Sequence, residues 1–201
     1  MISIGLFTAI YFVIFFACGM LGYIPILFVL LPVIVPIVTG IPLMLFLTKV
    51  KKFGMVTIMG TLLGLIMFAT GHTWLPILTG VVFGVLADLI FKTGRYQSSK
   101  MTVLGSGVFG VWMMGAMLPL WLMRDSYLEY IRSSMGDEYT SIVAGYTPDW
   151  LAFVAVGIAF IAGIIGAFLG KAVLKSILRE RESSDGVWCD PQRKEKHGIQ
   201  A

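Results

Sequence analysis

The sequence predicts an all-α integral membrane protein, a bundle of six transmembrane helices with both termini in the cytoplasm. Three observations support this prediction: the composition, the lengths of the apolar segments and the placement of the basic residues. Of the 201 residues, 58% are hydrophobic and 13% are charged, whereas about a quarter of a typical soluble domain is charged. We therefore expect one transmembrane substrate-binding domain over residues 1–180 and a polar cytoplasmic tail over residues 181–201.

Six apolar segments approach the length of about 20 residues that a membrane span requires. They are Ile2–Leu21, Ile24–Leu47, Met55–Gly71, Trp74–Phe91, Met101–Met123 and Asp149–Leu174. With the N-terminus inside, the cytoplasmic segments hold 13 of the 15 lysines and arginines. Cytoplasmic loops carry such an excess, so the charges predict this orientation. The net charge of +4 then reflects topology, and no nucleic-acid partner is indicated.

The first segment carries small residues along one helical face, at Gly5, Ala9 and Ala17, with Val13 between them. Steps of four residues stay close to one face of a helix, and small residues there let a second helix approach closely in lipid. The second helix can belong to the same bundle or to another protein, and the pattern alone leaves both open.

Later segments repeat this spacing, which predicts close helix packing throughout the bundle. The pairs are Gly60 with Gly64, Gly80 with Gly84, and Ser106 with Gly110, and the last segment has Ala162, Gly166 and Gly170.

The second segment contains four prolines, Pro25, Pro32, Pro36 and Pro42. Each removes a backbone donor and clashes with the preceding turn, so we expect kinks or a break here. Irregular backbone at membrane depth survives only where protein or a cavity shelters it, which points to a cavity. A kinked helix with a purely structural role is the alternative.

Two further features concern polar residues. In the long outer link 124–148, Leu128, Ile131 and Met135 predict a short amphipathic helix across the outer mouth. Asp88 is the acidic residue within a predicted span. Such a carboxylate is a functional candidate, but it can also pair with Lys92 or cap a link.

Candidate substrate contacts are a histidine at an outer end together with aromatic and methionine side chains. His72 can ligate a metal or a porphyrin iron, hydrogen-bond a substrate, or simply face water. Aromatic and methionine side chains form a flexible apolar wall for a planar ligand, although each can also serve core packing or the interfacial belt. The predicted substrate-binding residues are Tyr23, His72, Trp74, Trp112, Met113, Met117, Trp121, Tyr146 and Trp150.

The sequence gives little support to an enzyme, and we assign no catalytic residue and no metal site. Ser106, between two glycines, lies near the inner face and His72 near the outer, so a hydrocarbon core of about 30 Å separates them. No HExxH or GxxxxGK[ST] motif is present. Cys18 and Cys189 have no spacing that indicates a disulfide framework or a zinc site.

Residues 1–180 resemble the substrate-binding S component of energy-coupling factor (ECF) transporters, and more narrowly the Trep_Strep group of bacterial membrane proteins. The resemblance rests on FTAIYFVIFF, the proline-rich second segment, GVLADLIF and the long link before TPDWL. The family has an AxxxA-like motif on helix 1 that packs on a scaffold subunit. Here Gly5-Leu6-Phe7-Thr8-Ala9 occupies that place, with Gly5 instead of the first alanine and Ala9 as the second, and Val13 follows four residues later.

The resemblance implies a location in the bacterial plasma membrane and, as partners, a membrane scaffold and two ATPase subunits. It implies capture of a vitamin-like substrate from outside and its release inward when the S component topples in the lipid bilayer. The chain itself would need no cofactor, since the partners hydrolyse ATP. Some relatives are associated with haem, which would make haem a possible substrate and His72 or a methionine its ligand. An outer cavity would lie under the links at Gly19–Tyr23, His72 and Arg124–Pro148.

Two other classes stay open. A self-sufficient permease or channel usually shows inverted repeats and several intramembrane ionisable groups, and the sequence has one such carboxylate and no clear repeat. A membrane scaffold protein without a small ligand is the third class.

Overall fold

A computed structural model describes residues 2–188, and all regular secondary structure in this part of the chain is helical, with no strand. Its α-helices are α1 Ile2–Gly19, α2 Pro25–Lys49, α3 Met55–Ala69, α4 Leu75–Thr93, α5 Ser99–Gly110, α6 Met114–Met117, α7 Pro119–Leu122, α8 Arg124–Met135, α9 Asp137–Tyr146 and α10 Leu151–Trp188. Short 3₁₀ turns occupy Met20–Tyr23 and Val111–Met113. Helix α10 continues into the predicted tail, whose last 13 residues, 189–201, lie outside the described residues.

Four helical stretches of the described chain are long and apolar enough to cross a membrane: Ile4–Tyr23, Pro25–Lys49, Leu75–Thr93 and Leu151–Ile177. Helix α3 is also apolar but has 15 residues, a length of about 22 Å at 1.5 Å per residue. The fifth predicted span corresponds to the divided stretch from α5 to α7.

The expected break in the second segment is wrong, and the irregular backbone lies in the fifth segment instead. Helix α2 is one helix of 25 residues with Pro32, Pro36 and Pro42 buried inside it. Helix α10 supports it closely, since a Cβ at Gly170 would meet the Gly40 carbonyl oxygen at 2.9 Å. The fifth segment passes from α5 through a 3₁₀ turn into two single-turn helices.

Side chains from other helices of the same chain shelter this irregular backbone. Irregular backbone at membrane depth requires such shelter. The Thr79 hydroxyl of α4 donates a hydrogen bond of 2.9 Å to the Trp112 carbonyl in the 3₁₀ turn. The Trp112 indole Nε1 donates one of 3.0 Å to the buried Tyr11 hydroxyl on α1. The sequence did not predict this irregular backbone in the fifth segment, and a kink in α2, which it also allowed, stays a prediction.

Glycines bring α3 and α4 into backbone contact, which confirms the packing predicted from their spacing. A Cβ at Gly64 would lie 2.6 Å from the Ile77 Cα, and one at Gly84 would lie 2.9 Å from the Thr57 Cα. Gly60 and Gly80 face each other between these two contacts. We call Gly60, Gly64, Gly80 and Gly84 the α3–α4 seam.

The small residues of α1 have the opposite surroundings. Gly5, Ala9, Val13 and Ala17 are all exposed, and a Cβ at Gly5 would meet no atom within 4 Å. Helix α1 turns Ile4, Thr8, Tyr11 and Phe15 into the bundle instead. The alternative that these small residues pack inside the chain's own bundle is therefore wrong, and we call the four residues the outward face of α1.

The outer link forms two helices, α8 and α9, where the sequence predicted one. Gly136, with φ of 90° in the left-handed region that favours glycine, separates them. Arg124 holds the far end of this hairpin, because its guanidinium donates to the carbonyls of Thr147 at 2.7 Å and Ala144 at 3.1 Å. Arg124 thereby satisfies carbonyls that the end of α9 leaves free.

Asp88 caps the start of α3 and forms no ion pair with Lys92. Its Oδ2 accepts hydrogen bonds from the Thr57 N–H at 2.8 Å and from the Thr57 hydroxyl at 2.7 Å. The Lys92 ammonium instead lies 5.0 Å above the Phe53 ring. Of the two structural roles that the sequence left open for Asp88, capping is the observed one.

Candidate functional site

The α8–α9 hairpin covers a cavity of about 440 Å³ at one end of the bundle. The wall comes from the C-terminal ends of α1 and α3, the N-terminal half of α2, and the fifth segment where it becomes irregular. We call this the cavity end. The two links that carry Lys49, Lys51, Lys52, Lys92 and Arg95 lie at the other end.

Apolar side chains line most of the cavity. Phenylalanines and methionines from five parts of the chain contribute, namely Phe15, Phe16, Met20, Phe28, Met67, Met113, Met117 and Met135. Met113 and Met117 belong to the irregular fifth segment, and both line the wall. Such a wall suits a flat apolar ring.

One face of α8 closes the cavity. Tyr127, Tyr130, Ile131 and Ser134 follow the spacing i, i+3, i+4, i+7 that places residues on the same side of a helix, and all four line the cavity. The sequence predicted an apolar stripe at Leu128, Ile131 and Met135, of which Ile131 and Met135 line the cavity and Leu128 packs against the neighbouring core cluster. The prediction missed the two tyrosines, whose side chains have an apolar body and a polar tip.

The hairpin is also attached to the opposite wall. The Tyr139 hydroxyl of α9 donates a hydrogen bond to the Gly22 carbonyl, and its ring packs edge-on against Phe28 with centroids 6.5 Å apart. Desolvation raises the pKa of Tyr139 to about 12 and that of Tyr127 to about 12, so both phenols are neutral at physiological pH.

Four of the nine predicted substrate-binding residues line the cavity: Tyr23, His72, Met113 and Met117. His72 sits in the α3–α4 link, where its Nδ1 is 3.5 Å from the Thr70 hydroxyl oxygen. Although much of its surface is open to solvent, partial desolvation lowers the pKa of the His72 imidazole.

The other five predicted residues lie elsewhere. Trp112 is in the core beside Tyr11 and Phe15. Trp121 donates to the Pro148 carbonyl at 3.1 Å and faces a separate pocket of about 40 Å³. Trp74, Tyr146 and Trp150 are exposed, which suits the interfacial belt. Contact of these five residues with a substrate stays a prediction.

A second cavity of about 230 Å³ adjoins the first, beneath the start of α8. Thr73, Ser126 and Met123 line this second cavity alone, whereas Thr70 and His72 line both. Within residues 2–188, neither cavity is lined by Asp, Glu, Lys or Arg, and no group of three or more His, Cys, Asp or Glu side chains could hold a metal ion.

A family described as a hypothetical bacterial integral membrane protein (Trep_Strep) matches residues 1–177. No curated protein matches the chain, and no solved structure does.

Proposed function

The chain belongs to this Trep_Strep family of bacterial integral membrane proteins, and from that premise we propose that it is the substrate-capture subunit of an ECF-type importer. It is a multi-pass protein of the bacterial plasma membrane. In the proposed arrangement six segments cross the membrane, both termini face the cytoplasm, and the cavity end faces the outside.

The cavity under the α8–α9 hairpin is the observation that carries the proposal. A volume of about 440 Å³ is within the range of small-molecule sites, which run from about 300 to 1,000 Å³. Its position supports capture from outside, because the lysine-rich links lie at the opposite end and such links mark the cytoplasmic side. In this pose a substrate enters without crossing the membrane.

The outward face of α1 supports the proposed partners. Gly5, Ala9 and Val13 are exposed along one side of a helix, where a scaffold helix could approach to backbone distance. Two ATPase subunits bound to that scaffold would supply the energy, and the chain would topple in the bilayer to release its substrate inward. Few charges lie in its spans, which lowers the cost of tilting.

The substrate in this proposal is a vitamin-like molecule or another micronutrient, flat and partly apolar. Haem is a candidate substrate that the family resemblance implies, with His72 or a cavity methionine as a ligand to its iron. Adding haem to the purified protein tests this candidate. Binding through the histidine would give a Soret band that weakens or shifts in His72→Ala.

The decisive experiment is affinity purification of the tagged protein from its native bacterium, followed by protein and small-molecule mass spectrometry. We expect a membrane scaffold, two ATPase subunits and a retained small molecule. Recovery of the chain alone, together with substrate transport by the chain alone in liposomes, would instead identify a self-sufficient permease. A chain that retains no ligand would identify a membrane scaffold protein.

A further inference from the structure

Basic residues have different surroundings at the two ends of the bundle. At the cavity end, the Arg124 guanidinium lies 3.7 Å from the Asp149 carboxylate. The Arg132 guanidinium at that end lies 2.9 Å from the Asp137 carboxylate. Among the described side chains, no lysine or arginine at the opposite end forms an ion pair. The positive charges of that end are therefore available to a partner.

The α2–α3 and α4–α5 links place four of these basic residues near one aromatic ring. Lys51 and Lys52 directly precede Phe53 in the first link. The Lys92 ammonium, at the end of α4, lies 5.0 Å from the centre of the Phe53 ring. Arg95 follows in the second link, where its N–H donates to the Lys92 carbonyl at 2.9 Å. We call these five residues the inner basic patch.

The inner basic patch is exposed and has no acidic side chain to neutralise it. All five of its residues are exposed, and half of the Phe53 surface is accessible. Up to residue 179, Asp88 is the one acidic residue at this end. Its side chain is fully buried, and one of its oxygens accepts two hydrogen bonds from Thr57. Four cations and an apolar ring thus share one open surface.

The position of the patch matches the headgroup layer of a membrane. It follows directly on Pro25–Lys49 and lies at the end of Leu75–Thr93, two stretches that are long and apolar enough to cross the membrane. Lysine and arginine side chains at such a depth extend their charges to the interface. Basic clusters immediately beside a membrane span attract anionic lipids, and basic pockets between spans bind their phosphates.

We propose that the inner basic patch binds the headgroup of an anionic phospholipid. The lysines and Arg95 contact its phosphate, and the Phe53 ring lies against the start of its acyl chains. A lipid bound in this way bridges the α2–α3 link and the end of α4, which the hydrogen bonds between Asp88 and Thr57 also join. This inference needs only the membrane location of the chain, so it goes beyond the proposed function and does not depend on it.

Native mass spectrometry tests the lipid class. The full chain, purified in a mild detergent and stripped of lipid, is titrated separately with phosphatidylglycerol and with phosphatidylcholine of the same acyl chains. We expect one tightly bound phosphatidylglycerol and binding of phosphatidylcholine that is at least about tenfold weaker, because each basic residue near an anionic lipid contributes about fivefold in affinity.

Two triple variants test whether the patch is a specific site. The patch variant carries Lys51→Gln, Lys92→Gln and Arg95→Gln, and we expect it to bind phosphatidylglycerol about a hundredfold more weakly.

The matched control removes the same three charges from exposed positions at the same end but outside the patch, through Lys100→Gln, Lys175→Gln and Arg179→Gln. It should change the affinity less than about threefold. Both variants should melt close to the wild-type temperature without added lipid, since only exposed side chains change.

Three results would overturn the lipid site: phosphatidylcholine binding as tight as phosphatidylglycerol binding, a patch variant with wild-type lipid affinity, or equal weakening in the patch and control variants. Wild-type lipid affinity in a patch variant that loses a protein partner on affinity purification would assign the patch to an acidic protein surface instead. The importer proposal is decided separately, by the purification of scaffold and ATPase subunits with the wild-type chain.

Discussion

The α3–α4 seam and the outward face of α1 share one sequence pattern, small residues spaced four apart, but have opposite surroundings. In the seam, a Cβ at Gly64 would collide with the backbone of Ile77 at 2.6 Å. On the outward face, a Cβ at Gly5 would meet nothing within 4 Å. The seam is a contact already made within the chain, and the outward face is a surface of the same shape that this chain leaves uncovered.

The difference shows what small-residue spacing encodes in a membrane protein. The spacing prepares a helix surface for close approach, but the approaching helix can come from the same chain or from another. A substitution in the seam should therefore affect stability, and under the proposed function a substitution on the outward face should affect partner-dependent uptake.

The largest effect is expected from Ala9→Trp, which fills the outward face of α1. Under the proposed function, uptake by cells should be abolished, because the indole keeps the scaffold helix away, while substrate binding by the purified chain should persist. Ile161→Trp, at an exposed position of α10, is the control and should leave both unchanged. Simultaneous loss of binding and uptake in Ala9→Trp would contradict this division between the two surfaces.

A smaller effect is expected from replacing one glycine by alanine, in the α3–α4 seam and on the outward face of α1. The two variants allow a direct comparison of the two surfaces. Gly64→Ala should destabilise the protein by about 1–3 kcal/mol, the usual cost of overpacking, because the new methyl group meets the Ile77 backbone. Gly5→Ala should leave stability unchanged. Thermal unfolding in detergent measures both variants, and equal melting temperatures would show that the seam is looser than described.

The hydrogen bonds between Asp88 and Thr57, at the end of the α3–α4 seam, should contribute a similar or slightly smaller amount to the free energy of unfolding. Asp88→Ala removes the acceptor for the Thr57 N–H and hydroxyl, so we expect a loss of about 1–3 kcal/mol. Asp88→Asn keeps one oxygen acceptor and should lose less. Unfolding midpoints and amide hydrogen exchange at the start of α3 measure the effect. If Asn costs as much as Ala, the negative charge itself has a role beyond capping.

The smallest effect on stability is expected from a substitution on the side of α1 that faces the bundle. Tyr11→Phe leaves the buried Trp112 indole N–H without its acceptor, at a cost of about 1 kcal/mol. Uptake should be close to normal, since the outward face is untouched. Loss of uptake without loss of stability would show that the two sides of α1 do not act independently.

The membrane character, the helical composition and the glycine contacts of α3 and α4 were all predictable. Each follows from residues that are close in sequence or from the solvent that the chain must face. The break predicted at the prolines of α2 was wrong because the packing of α10 at Gly40 supports a continuous helix. The irregular turn at Trp112 depends on Thr79 of another helix, and no local pattern of the fifth segment reveals that donor.

The position of the cavity was predictable, but the residues that line it were predictable only in part. Of the predicted substrate-binding residues, His72, Met113 and Met117 line the cavity, whereas Trp112 is in the core and Trp150 is exposed. A tryptophan in a membrane protein can pack in the core, lie at the membrane interface or contact a ligand, and the residue type alone does not distinguish these roles. Only the three-dimensional neighbours of each side chain separate these roles.

The sequence by itself determined that lipid is the solvent, that helices cross it, and that basic residues gather in particular links. Only the tertiary structure decided which small-residue face is already covered, which is free, and where the helices leave a cavity. The physical reason is that lipid tails and neighbouring helices are equally apolar. Hydrophobic periodicity, which separates inside from outside in a water-soluble protein, therefore does not distinguish them here.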